Sequence, residues 1–269
     1  MKHGTVPTWC PGLAFLAVFL ALPPGPSPGG FAGPGGPGAP RAGQEADGPF
    51  VCPPCGAECH AQTYEARGSC SVCGMALVPE SSVPRVAVLL FEGVDVPTST
   101  GPLGIFASSE GARVYTVADT TDPIRCQDSL VLVPEYAIGD APWPDVLVLP
   151  SGWSPVWEDE LLMRWITRAA EGADHVLGIG LGALVVARTG LLTRNEVAST
   201  DYVARRGPEV LSDVRFLSDA AIVEDGPFVT ARDAGAATRA SLEILAAIGG
   251  EARARDTARE LGLELSFKD

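Results

Sequence analysis

A chain of 269 residues is long enough for one large domain with a small module beside it. Hydrophobic residues make up 46% of the chain and charged residues 19%, which is typical of a globular protein with a substantial core. The formal net charge is −14, and most of this excess lies in residues 85–269. An acidic body repels phosphate backbones, so the composition argues against a nucleic-acid partner.

The N-terminal part of the chain has the pattern of an export signal followed by a tether. After a weakly positive start, the run from Leu13 to Leu22 contains ten apolar residues. A bilayer span needs about 20, so this run fits a signal peptide. We predict a signal peptide at 1–22 and a periplasmic or extracellular protein with no integral membrane span after cleavage. An uncleaved N-terminal anchor is the alternative. Residues 23–48, rich in glycine and proline, predict a flexible linker.

A cysteine-rich module is predicted at residues 49–80. It contains two CxxC pairs, Cys52 with Cys55 and Cys70 with Cys73. Each pair can form a tight knuckle whose two thiolates face one ion, and two knuckles complete the tetrahedral site that structural Zn²⁺ prefers. A module this small cannot build an adequate core alone, so a bound metal would supply its folding free energy.

The end of this module resembles the short heavy-metal-binding domains attached to copper and zinc efflux proteins. The matching run is Arg67–Pro79, which contains Cys-Ser-Val-Cys-Gly-Met-Ala-Leu. That family often has a histidine where Cys55 stands, so four thiolates imply a closed zinc site, with copper as the alternative metal. Cys59 and His60 add two donors, as spare ligands or for a second soft ion. A zinc-stapled spacer without its own function stays open, as do disulfides in an oxidising compartment.

The rest of the chain alternates apolar strands with helical patterns. Strands are predicted at 85–91, 113–118, 130–133, 145–150, 175–179, 214–217, 221–223 and 228–230, and helices at 101–109, 158–171, 183–192, 236–248 and 252–261. The helix at 101–109 is placed there because Pro102 suits a first turn. Alternation of this kind predicts a doubly wound, mostly parallel α/β sheet of flavodoxin type with helices on both faces, spanning 84–265.

The stretch from His175 to Leu192, HVLGIGLGALVVARTGLL, predicts a buried strand, a tight turn and an apolar helix. In many α/β enzymes such an elbow carries the nucleophile. Here the tip is Ile179-Gly180-Leu181, which offers no thiol or hydroxyl.

The body resembles the ThiJ/PfpI superfamily, which has a class I glutamine-amidotransferase-like fold. Three runs carry the resemblance: Val88–Asp95 followed by Gly101-Pro102, then Pro144–Pro150, and then Gly178–Leu192. The fold implied by the resemblance agrees with the alternation of strands and helices.

Active members of that family have a cysteine at the elbow tip, a carboxylate in the loop after the first strand and, in many cases, a histidine after the elbow helix. The local strain and the helix N-terminus favour the cysteine thiolate. Carried over position by position, these residues fall on Gly180, Thr98 and Asp201. The paired glycines after the central strand become Ser151-Gly152. The resemblance therefore implies that the ancestral reaction has been lost.

The predicted function is binding, of a metal ion in the module and of a small ligand in the vacated cleft, rather than catalysis. The cleft residues are expected to be Asp95, Ser151, Gly152, Trp153 and Tyr202. One alternative is a hydrolase, hydratase or deglycase-like enzyme with substitute residues, and another is a copper or zinc handling protein. The tryptophan could instead cover core or form a dimer contact, so a homodimer stays open.

Overall fold

The computed structural model describes residues 48–54, 59, 62–109, 111–127, 129–153 and 156–263. The predicted signal peptide and almost all of the predicted linker lie outside the described residues, as do Cys55 and His60. Among the residues that the structure describes, no helix combines the length and apolarity needed to cross a bilayer.

The cysteine-rich module folds around a small three-stranded antiparallel sheet. Its strands are β1 (Phe50–Val51), β2 (Thr63–Tyr64) and β3 (Val78–Pro79), in the order β2-β1-β3. Three buried cysteines, Cys52, Cys59 and Cys70, form the centre of the module, and Met75 and Leu77 pack against them. The centre is therefore built mainly from thiols, which leaves little apolar area to stabilise the module.

The strands after the module are β4 (Arg85–Leu89), β5 (Arg113–Ala118), β6 (Ile124–Arg125), β7 (Val131–Leu132), β8 (Tyr136–Ala137), β9 (Val146–Leu149), β10 (His175–Ile179), β11 (Glu196–Ala198), β12 (Arg215–Leu217), β13 (Ile222–Asp225) and β14 (Phe228–Ala231). In the described part of the chain, seven of them form the main sheet in the order β13-β14-β10-β9-β4-β5-β8. All neighbours in this sheet are parallel except β13, which runs antiparallel to β14 at the edge. The predicted mostly parallel α/β fold is confirmed.

Helices cover both faces of this sheet. They are α1 (Val96–Ser108), α2 (Glu160–Gly172), α3 (Leu181–Arg188), α4 (Asp201–Val210), α5 (Ala234–Gly249) and α6 (Glu251–Glu260). Along β4, Val86 and Val88 pack in the hydrophobic cluster under α1 and α5, whereas Ala87 and Leu89 pack in the cluster under α2 and α3. Alternate residues of a strand point to opposite faces, so a strand covered on both sides must be apolar throughout.

The first helix differs from the prediction, because it begins at Val96 and not at Gly101. The Asp95 carboxylate accepts a hydrogen bond from Thr98 N at 3.0 Å and caps the helix, while Pro97 occupies its first turn. Aspartate before a proline in the first turn is a strong start signal. Pro102, which the prediction placed at the start, lies inside the helix.

Two further differences concern short elements. The predicted strand at 130–133 is not part of the main sheet, because β7 pairs antiparallel with β6 in a separate hairpin. Helix α4 and the strands β6, β8 and β11 were not predicted. Strand β11 pairs with β12 in a second small sheet, and α4 lies between them in the chain.

A buried carboxylate at the end of β13, that of Asp225, holds the segment that follows α3 by hydrogen bonds. Asp225, only 4% exposed, accepts hydrogen bonds from Thr193 N at 2.7 Å and Arg194 N at 2.8 Å, and from the Thr193 hydroxyl. Burial alone would raise the pKa of Asp225, but these hydrogen bonds and the charge of Arg194 outweigh it and lower the pKa.

We expect Asp225→Asn to lower the free energy of unfolding by about 2 kcal/mol, because the new amide cannot accept from every donor that faces it. The folded pKa lies below the unfolded value of about 3.9, so this stabilisation is complete above that pH and is lost as the pH falls through the folded pKa. Urea unfolding of the unmodified chain and of Asp225→Asn at neutral and acidic pH measures this difference in the free energy of unfolding. Asp213→Asn, at an exposed position, is the control. An equal loss at pH 7 and pH 2 would contradict this assignment.

Candidate functional site

The elbow between β10 and α3 turns on Gly180. This buried residue has φ 56° and ψ −113°, a left-handed conformation that glycine adopts without steric cost. The helix then packs tightly on the end of β9, since a Cβ on Gly182 would lie 1.9 Å from Leu149 O. The start of α3 is therefore packed closely against the backbone at the end of β9. The tip of the elbow, Gly180, carries no side chain.

Ser151 fills the space in which a side chain at the tip would begin. A Cβ built on Gly180 would lie 2.8 Å from Ser151 Oγ and 3.1 Å from Ser151 Cβ. The amide of Leu181, the first residue of α3, donates to the same Ser151 Oγ at 3.2 Å. The serine hydroxyl thus caps the elbow helix and occupies the place that a nucleophile would need.

Thr98 and Asp95 complete a closed set of hydrogen bonds around this serine. Ser151 N donates to Thr98 Oγ1 at 3.0 Å, and Thr98 Oγ1 donates to Asp95 O at 3.2 Å. Asp95 N in turn donates to Ser151 O at 2.9 Å. The position expected to carry a carboxylate therefore carries a hydroxyl that holds α1 against the end of β9.

The described part of the chain has one histidine, His175, and it is not at the elbow. It is the first residue of β10, whereas Gly180 follows the last, so the two lie roughly 16 Å apart along an extended strand. Burial lowers the pKa of His175, against the opposing charges of Asp174 and Glu224. Within the described residues, Ser151 thus has no imidazole base of the kind that activates a serine nucleophile.

A cavity of about 570 Å³ opens beside the elbow. The five predicted cleft residues, Asp95, Ser151, Gly152, Trp153 and Tyr202, all line it. The remaining lining residues are Gln127, Trp157, Leu181, Leu184, Thr200, Val203, Arg206, Gly207, Glu209 and Val210.

One wall of the cavity comes from α4, a helix that was not predicted, although its residue Tyr202 was expected in the cleft. The Thr200 hydroxyl accepts from Val203 N at 3.3 Å and caps this helix, and threonine at that position is the signal that could have revealed it. Asp201, the position expected to carry a histidine, is exposed in the first turn and is not part of the lining.

The cysteine cluster in the module consists of Cys52, Cys59, Cys70 and Cys73. Their four Sγ atoms all lie within 4.8 Å of one another, with 3.3 Å between Cys52 and Cys73 and 3.7 Å between Cys52 and Cys59. Four thiolates around one Zn²⁺ with bonds of about 2.3 Å are separated by about 3.8 Å, so the cluster has the size of a tetrahedral metal site. Cys59 belongs to this set, whereas Cys55 lies outside the described residues.

The thiol of Cys70 has a lowered pKa, which favours its thiolate form. Hydrogen bonds from the backbone of Cys73, the Tyr64 hydroxyl and the backbone of Val72 lower its pKa to about 6, against the opposing effect of burial. The Tyr64 oxygen lies 3.5 Å from Cys70 Sγ. A thiol that is ionised at neutral pH is the form that binds metal.

The comparison with known proteins agrees with this geometry. The model of the DJ-1/PfpI family matches residues 84–247, which is more than half of the chain. The chain belongs to the DJ-1/PfpI family. The match spans the elbow, the cavity and all seven strands of the main sheet, and it confirms the ThiJ/PfpI resemblance seen in the sequence.

Individual members of the DJ-1/PfpI family are distant from this chain. Isonitrile hydratase of Pseudomonas putida is 27% identical over 185 residues, covering 68% of this chain and 78% of that protein. Protein dj-1beta of Drosophila melanogaster is 25% identical over 148 residues, covering 52% and 76%. The crystal structure of a ThiJ/PfpI family protein from Pseudomonas syringae superposes with a TM-score of 0.62 at 21% identity, covering 68% and 76%. Identity this low shows the shared fold alone.

Proposed function

We propose that this DJ-1/PfpI protein binds a small molecule in its cleft without covalent chemistry and holds a zinc ion in its cysteine cluster. The observation that carries the first part is the elbow tip, where Ser151 Oγ lies 2.8 Å from the Cβ position of Gly180. A cysteine side chain at the elbow tip would need the space that Ser151 Oγ fills in this chain.

Several features support binding in the cleft. The cavity beside the elbow is within the usual size range of small-molecule sites, about 300–1,000 Å³. Its lining combines aromatic and aliphatic side chains with a few polar groups, which is the usual composition of such sites. The hydroxyls of Thr98 and Ser151 are engaged in holding the elbow together rather than activated for attack.

Hydration of a small substrate is a second candidate function, favoured by the similarity to isonitrile hydratase. In this reading the Asp95 carboxylate, which lines the cavity, would take a proton from a water molecule that attacks the substrate. The exposed Asp201 would not take part.

The two candidates are separated by incubating the full chain with a small isonitrile and following the loss of its infrared band. Binding without catalysis predicts no loss above that seen with heat-denatured protein. Turnover that Asp95→Asn removes would overturn the binding proposal and establish the hydratase.

We propose Cys52, Cys59, Cys70 and Cys73 as the four zinc ligands. The size of the cluster and the lowered pKa of Cys70 support this set. Four thiolates close the coordination shell, so the ion would stabilise the module rather than activate a substrate. Copper handling remains the alternative use of the same thiols.

The proposal includes export, because the pattern at 1–22 is that of a signal peptide. In an oxidising compartment, zinc and disulfide formation compete for the same thiols. Bound metal would then protect the cluster from oxidation.

A further inference from the structure

Among the residues that the structure describes, the cavity wall has one negative charge without a counter-ion. Three described residues of the lining are charged: Asp95, Arg206 and Glu209. Arg206 Nε lies 3.4 Å from Glu209 Oε2, so these two form an ion pair. Oδ2 of Asp95 accepts from Thr98 N, and no described group donates to its Oδ1. The carboxylate of Asp95 is therefore the unbalanced charge of the cleft.

At each of the three helix N-termini at the cavity, one backbone amide that could hold an anion is already engaged by a side chain. Helices α1, α3 and α4 all begin at the cavity, and helix N-termini attract anions. In each case a cleft side chain accepts a hydrogen bond from the first turn: Asp95 from Thr98 N, Ser151 from Leu181 N and Thr200 from Val203 N. An anionic ligand that used one of these three amides would have to displace its cap.

Aromatic side chains stand at the mouth of the same cavity. Trp153 is 71% exposed and Tyr202 is 60% exposed, although side chains of this size are usually buried in the core. Trp157 contributes a third aromatic ring to the lining. The faces of such rings attract cations, and they also pack against the alkyl groups of an organic cation.

We propose that the cleft takes a small organic cation, an amine or alkylated ammonium whose charged group meets Asp95 and whose apolar part lies against Trp153 and Tyr202. This inference rests on the proposed binding function of the cleft and specifies its ligand class. The cavity of about 570 Å³ accommodates a molecule with one ring or a short branched chain. The acidic body, with the net charge of −14 carried by the whole chain, also favours the approach of a cation.

Three probes with the same ring and different charge test the class: benzylamine, benzyl alcohol and benzoate, each titrated calorimetrically into the full chain. We expect benzylamine to bind about tenfold tighter than benzyl alcohol, and benzoate to bind most weakly. Asp95→Asn keeps the shape and the helix cap, so it should reduce the affinity for benzylamine to that for benzyl alcohol. Asp201→Asn removes a charge beside Tyr202 but outside the lining, and should leave the preference unchanged.

Each other result overturns a separate part of the inference. Equal affinities for the three probes would reject the cation class while leaving the binding function intact. An equal effect of Asp201→Asn and Asp95→Asn would show that net charge, and not a carboxylate in the cavity, sets the preference. Failure of all three probes to bind would contradict the ligand class, because benzylamine carries the proposed charge and ring.

Discussion

Gly180→Cys is expected to lower the free energy of unfolding by about 3 kcal/mol, because two costs add. A cysteine must adopt the left-handed conformation of the elbow tip, and its Cβ must enter the space held by Ser151 Oγ, 2.8 Å away. The serine can rotate away only by giving up its hydrogen bond from Leu181 N. Urea unfolding followed by circular dichroism measures the loss.

The double variant Ser151→Gly/Gly180→Cys should be more stable than Gly180→Cys alone, because Ser151→Gly removes the obstructing side chain. We expect a coupling free energy of about 1–2 kcal/mol in the double-mutant cycle. The new thiol would lie at the N-terminus of α3, which favours its thiolate form. The pH dependence of its reaction with iodoacetamide should therefore give a thiol pKa below the ordinary value of about 8.5.

Gly180→Ala serves as the control, because it brings the Cβ and the backbone strain without a thiol. It should destabilise the chain about as much as Gly180→Cys and should likewise be rescued by Ser151→Gly. If Gly180→Cys proves as stable as the parent, Ser151 does not fill the nucleophile's place, and the account of the elbow is wrong.

Cys59→Ser is expected to lower the zinc affinity of the full chain by several orders of magnitude. One of four thiolates is then missing, and structural zinc sites bind with roughly 10–16 kcal/mol in total. The centre of the module is built from these cysteines, so loss of the ion should also unfold residues around β1–β3. Competition with a chromophoric chelator measures the affinity, and elemental analysis counts the metal.

Cys55→Ser is the matched variant, because Cys55 completes the CxxC pair with Cys52 in the sequence. The geometry of the cluster predicts that Cys55→Ser retains one zinc per chain. If Cys55→Ser loses the zinc and Cys59→Ser keeps it, the ligands are the two CxxC pairs. Absence of metal with disulfides in the purified protein would reject the zinc site.

The main sheet could be predicted where the sequence signal is local. Strands β5 and β10 have the predicted bounds, because each is an apolar run buried on a sheet covered from both sides. Helix α4 has a threonine cap as a local signal, but it also contains Gly207 and Pro208, which are poor helix formers. Gly207 is instead packed against the Phe216 ring, which a Cβ would approach to 2.6 Å, so tertiary contact sets this helix.

The site shows the same division between local and long-range information. The glycine at the elbow tip was visible in the sequence, but the role of Ser151 was not, because it caps a helix that begins 30 residues later in the chain. The sequence predicts Cys59 as a spare ligand or as a donor to a second soft ion, and its spacing of seven residues from Cys52 is not that of a CxxC knuckle. Both assignments required distances that only the fold supplies.

We propose that the cleft holds no activated nucleophile. The most direct test treats the unmodified chain and Ser151→Gly/Gly180→Cys with a fluorophosphonate and with iodoacetamide, and maps the adducts by mass spectrometry. We predict no fluorophosphonate adduct on Ser151 of the unmodified chain, and one iodoacetamide adduct at position 180 of the double variant. A fluorophosphonate adduct on Ser151 of the unmodified chain would show an active serine and contradict the claim.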